Sequence, residues 1–106
     1  MKKQFLLFIL ISLFMTNSSY AYSIAGYYNC GKVLALHKDD NPYLETAIVS
    51  WFMGFYSGAN WQNGYETDNY PDSDSVYYAT IKFCEENPLK DNGDASVDIY
   101  NKLTNY

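Results

Sequence analysis

The chain contains no arginine, a single histidine (His37) and only two cysteines, Cys30 and Cys84. Each shortage excludes something. Seven lysines face twelve carboxylates, for a formal net charge of −5 at pH 7. Nucleic acid and anionic membrane surfaces are both bound through a basic face, so neither is an expected partner. One histidine, with no Cys-x-x-Cys and no His-x-x-x-His, leaves no ligand set for zinc. Neither a metal nor a cofactor is expected. There is no glycine-rich phosphate loop, no Gly-x-Ser-x-Gly and no His-Glu-x-x-His. With no nucleophile–base pair either, the reading is not an enzyme, and no catalytic residue is assigned. Asp72-Ser73-Asp74 resembles half of a cation loop but lacks the remaining ligand positions, so it reads as a helix cap. Glu85 and Glu86 are adjacent on a helix and point to different sides, which makes them solvated surface rather than an acid–base pair.

Long apolar runs are also missing, except at the start. Lys2 and Lys3 precede the apolar stretch Phe5 to Met15, and Ser19-Tyr20-Ala21 supplies small residues at the −3 and −1 positions of a cleavage site. This is the layout of a secretory signal peptide. The run falls short of the roughly 20 residues that span a bilayer. The expected organisation is a signal peptide over 1–21 and one small domain over 22–106, with no membrane association after cleavage. Loss of Lys2 and Lys3 takes the formal charge from −5 to −7. A domain this short buries only about 60% of its unfolded surface and is marginal without a staple.

The domain reads as helical, since no segment sustains period-two alternation. A first helix is predicted from about Tyr28 to Lys38, with Cys30, Val33, Leu34 and His37 on one face. Asp39-Asp40-Asn41-Pro42 ends it. A second, from about Tyr43 to Trp61, carries a broad apolar stripe through Ile48, Phe52, Phe55 and Ala59. Ser50, Gly54 and Gly58 recur every fourth residue, and glycine inside a helix is unfavourable by about 1 kcal/mol relative to alanine. That repeat predicts close approach of another backbone, the alternative being a helix that ends near Gly54 or Gly58. Asn60 to Pro71 reads as a polar loop. A third helix starts at Asp72 or Ser73, buries Val76, Tyr77, Thr80, Ile81 and Cys84, and stops near Asn87-Pro88. A fourth, from about Asp94 to Leu103, has Ala95, Ile99, Tyr100 and Leu103 as its stripe. The fold class is all-α: a small four-helix bundle stapled by a disulfide, after a cleaved signal peptide.

Cys30 and Cys84 both lie on inward faces of an exported domain, so a Cys30–Cys84 disulfide is expected. On the chain-entropy model, a loop of this length contributes about 4 kcal/mol.

Aromatic residues make up 19% of the chain, and Trp51, Phe52, Phe55, Tyr56 and Trp61 crowd the second helix. These five are the candidate client- or partner-binding residues, because aromatics carry large contact areas at interfaces. The alternative is an aromatic-rich core.

The Cys-Gly of YYNCGKV, the helix SWFMGFYSGAN, the segment KFCEENPL and a closing amphipathic helix together resemble the HdeA/HdeB family of periplasmic acid-stress chaperones, nearer to HdeB and its uncharacterised relatives. The resemblance spans roughly Cys30 to Leu103. It implies a periplasmic location in a Gram-negative bacterium, one Cys30–Cys84 bridge, and ATP-independent binding of unfolded periplasmic proteins on acidification; a second copy of the chain, in a homodimer, is a further candidate partner. Type VI secretion immunity proteins of the Tai type share the same outline and bind one partner, a toxic amidase. An exported structural or accessory role is the third reading.

Overall fold

The computed structural model describes residues 2–5, 27–64 and 70–104. The cleavage site after Ala21 and most of the loop before Pro71 lie outside the described residues. Residues 2–5 are helical, and four further helices follow: α1 (Cys30–Lys38), α2 (Leu44–Asn63), α3 (Ser73–Glu86) and α4 (Asn92–Thr104). Among the described residues the only β pairing is an isolated antiparallel bridge between Asn29 and Asp91.

Side chains set the starts of α1, α3 and α4. Asn29 caps α1, its Oδ1 accepting the Lys32 N–H at 2.8 Å. The helix therefore begins at Cys30, two residues later than the pattern suggests, because Tyr28 and Asn29 are held extended against the start of α4. Asp72 caps α3, accepting the Ser75 N–H at 2.8 Å and its hydroxyl at 2.7 Å. At α4, Asp91 Oδ1 accepts the Asp94 N–H at 2.9 Å while Asp94 Oδ2 accepts the Asp91 N–H at 3.2 Å, a reciprocal capping box. The α1–α2 turn passes through Asp40 at φ 50°, a left-handed conformation that aspartate tolerates better than most residues.

The longest helix, α2, buries Leu44, Ile48, Phe52, Tyr56 and Asn60, one residue every fourth position. It ends where Gly64 turns left-handed at φ 68° and donates its N–H to the Asn60 and Trp61 carbonyls. The glycine expectation is overturned. Gly54 and Gly58 are exposed, and a Cβ added at either meets nothing within 4 Å. Each lies two residues after a buried one, about 200° around the helix, so the repeat faces outward. The helix also continues through both glycines.

α3 packs against all three other helices, and α2 also meets α4. The core has two parts. One surrounds the Cys30–Cys84 disulfide with Val33, Leu44, Ile48, Ile81, Phe83 and Ala95. The other joins Phe52, Tyr56, Val76, Ile99 and Tyr100. The bridge links the first residue of α1 to the last turn of α3, across a sequence separation of 54, with both cysteines fully buried. Buried Asn92 ties the start of α4 to Tyr28, just before α1 and the bridged Cys30. Its Oδ1 accepts the Tyr28 N–H at 2.8 Å, and its own N–H donates to the Tyr28 carbonyl at 3.0 Å.

Candidate functional site

Helix rotation divides the five aromatic candidates on α2. Phe52 and Tyr56 point inward and are buried. Trp51 and Phe55 are one position earlier on each turn. They emerge half-buried along one edge, with rings nearly parallel at 9° and centroids 5.7 Å apart. Trp61 is nine residues past Phe52, half a turn away, and is 89% exposed. The structure thus brings Trp51 and Phe55 together, assigns Phe52 and Tyr56 to the core, and leaves Trp61 apart.

Of this pair Phe55 lines a broad depression of about 760 Å³, whose walls also include apolar Ala59, Phe83, Val97 and Tyr100 and polar Asn63, Asp94, Asp98 and Asn101. Lys90 lies at its margin, its Nζ 5.8 Å from the Phe83 ring centroid, within cation–π range. Tyr100 holds this wall in place. Its ring meets Phe55 and Tyr56 edge-on, at 5.9 Å and 5.7 Å. Its hydroxyl donates to Asn60 Oδ1 at 3.2 Å and accepts from Asn63 Nδ2 at 3.0 Å. Asn60 is a correction to the sequence reading. It belongs to the last turn of α2 and is buried, not part of a polar loop. Nothing local marks it out, because asparagine before Asn63-Gly64 ordinarily signals a turn.

A second polar cluster lies where α1, α2 and α3 converge. His37 Nδ1 is 2.7 Å from the Tyr77 hydroxyl. Partial burial, then the nearby charge of Glu45, pushes the Tyr77 phenol above its ordinary range. Glu45 itself is pushed upward by a hydrogen bond to Asp74, with slight desolvation and Coulomb repulsion from Asp74 adding to the shift. Tyr77, expected on the inner face of α3, is half-buried because it turns toward His37. Among the described residues no group of three or more His, Cys, Asp or Glu side chains is placed to hold a metal ion. No helix of the described residues is long and apolar enough to cross a membrane.

No family model matches this chain, and no curated protein or solved structure matches it.

Proposed function

We propose that this chain is an exported, ATP-independent chaperone that holds unfolded proteins in acid, as its likeness to the HdeA/HdeB pattern implies. The observation that carries the reading is the division of the α2 aromatics. Phe55, with Trp51 stacked on it, already lines a depression of mixed polar and apolar character, and Phe52 and Tyr56 lie one position further round, beneath them. A small rotation or lifting of α2 would merge the four into one continuous aromatic surface. Acid supplies the force. Below about pH 3 the carboxylates protonate, and the charge of residues 22–106 moves from about −7 to about +7. The one ion pair among the described residues, Lys102–Asp98, is lost with the carboxylate charge, so every remaining charge has the same sign. The disulfide would keep α1 and α3 joined while α2 moves.

The test is suppression of client aggregation by the oxidised protein at pH 2–3 and at pH 7, with a reduced sample alongside. Protection confined to acid and weakened by reduction supports the reading; unchanged tertiary structure and no protection at pH 2–3 removes it. A second reading, a stoichiometric binder of one enzyme as in the Tai-type immunity class, is favoured by Trp61, which is exposed without any opening. In that case activity resides at neutral pH, and Trp61→Ser weakens the complex while leaving the fold intact.

A further inference from the structure

A second concavity, separate from the α2 aromatics, lies between α3 and α4 with no α2 residue in its walls. Its volume is about 350 Å³, and its apolar lining comes from Val76, Ala79 and Phe83 of α3 and Ile99 and Leu103 of α4. That size and lining fall at the small end of small-molecule sites, about 300–1,000 Å³ with few polar groups. A stable protein–protein contact instead needs about 1,200 Å² or more of buried surface.

The charges at its mouth select the ligand. Lys82 and Glu86 stand on the α3 side, Asp98 and Lys102 on the α4 side. Lys102 Nζ is 2.8 Å from Asp98 Oδ2, so these two largely neutralise each other. Glu86 lies within Coulomb reach of Lys102. Lys82 has neither an ion pair nor a hydrogen bond among the described residues. In a chain with twelve carboxylates and seven lysines, an uncommitted ammonium beside an apolar recess is the local exception. Its methylenes extend the apolar wall while the charge stays at the opening.

We propose that the α3–α4 groove binds a medium-chain fatty acid, with the acyl chain against Val76, Ala79, Phe83, Ile99 and Leu103 and the carboxylate at Lys82. Glu86 faces the same mouth and opposes the anion, which makes the proposal directional. Removing Lys82 weakens binding, and removing Glu86 strengthens it.

The experiment is titration of the oxidised protein at pH 7 with decanoate, below its micelle concentration, followed by calorimetry and by backbone amide NMR. Decyltrimethylammonium serves as the oppositely charged control. Decanoate is expected to bind one-to-one, with shifts concentrated in residues 71–86 and 98–104, and the cationic amphiphile to bind several-fold more weakly. Lys82→Gln lowers decanoate affinity about fivefold and Glu86→Gln raises it by a similar factor, the scale of one exposed charge pair. Ala79→Trp fills the groove and removes binding. The proposal is overturned if decanoate does not bind, if the cationic amphiphile binds as well, or if the shifts lie elsewhere. Unchanged affinity in Lys82→Gln, an exposed and structurally mild substitution, overturns it even if Ala79→Trp does not fold.

Discussion

Two carboxylates show how opposite pH responses arise from residues a short distance apart. Asp72 accepts the Ser75 N–H and hydroxyl at the start of α3, and these bonds hold its pKa below the ordinary 3.8. A group with a lowered folded-state pKa contributes stability above its unfolded value, and that contribution is lost as pH falls through the folded one. Asp72→Ala is therefore expected to lower the thermal midpoint at pH 6, with the gap to the parent closing below pH 3.8. Glu45 has the reverse sign. Its hydrogen bond to Asp74 raises it above the ordinary 4.5. Its contribution is fully present below that value and is lost as pH rises through the folded one. Glu45→Gln removes a neutral-pH repulsion, so the variant is expected to melt higher than the parent at pH 7 and to lose that advantage in acid. Parallel melting curves across pH 2–7, read by circular dichroism, check both. Asp72 as a cap is legible in Pro-Asp-Ser-Asp-Ser. The Glu45–Asp74 contact is not, because it joins two helix starts almost thirty positions apart.

At the scale of the element, α2 shows what periodicity can and cannot say. Its buried stripe is Leu44, Ile48, Phe52, Tyr56 and Asn60, of which the periodicity picks out Ile48 and Phe52. Which flank emerges is decided by the neighbouring helices. Tyr100 on α4 covers Phe55 and leaves Trp51 stacked at the edge, and nothing approaches Gly54 or Gly58. Those glycines are thus a removable weakness. Gly54→Ala and Gly58→Ala are each expected to stabilise the fold by up to about 1 kcal/mol, since the helix gains propensity and the added methyl meets no atom. Urea denaturation of the single and double variants checks this. Destabilisation by either alanine would show that another backbone rests on that face in solution.

The whole molecule depends on one covalent link across a small core. Both cysteines are fully buried, and they join the beginning of α1 to the end of α3, so the bridge encloses α2 within its loop. Replacing both by serine is expected to cost about 4 kcal/mol on the chain-entropy model, measured as unfolding free energy in urea, with a larger m-value because the unlinked unfolded chain is less compact. Stability of small domains is itself only about 5–15 kcal/mol, so the serine variant stands near its unfolding threshold at neutral pH. Acid acts at the same scale. The directions at Asp72 and Glu45 are opposite, and the proposed loosening at pH 2–3 rests on self-repulsion across the whole chain. Salt screens that repulsion over about 3 Å at 1 M. Tertiary structure lost at pH 2 in dilute buffer is therefore expected to be largely retained at 1 M salt, as read by near-ultraviolet dichroism.

From the sequence alone follow the helical class, the approximate limits of all four helices, the Cys30–Cys84 pairing and the Asp72 cap. These depend on local period, turn chemistry and residue counts, which act within one or two turns or sum over the chain. Tertiary structure alone decided the rest. It sent Phe52 and Tyr56 inward and Trp61 outward, made Asn60 and Asn92 buried anchors, turned Tyr77 toward His37, and opened the groove that leaves Lys82 uncommitted. Each of these depends on which helix lies across the contact. A residue's rotation about its own helix is set by sequence spacing; the side that becomes the inside is set by the neighbours it meets.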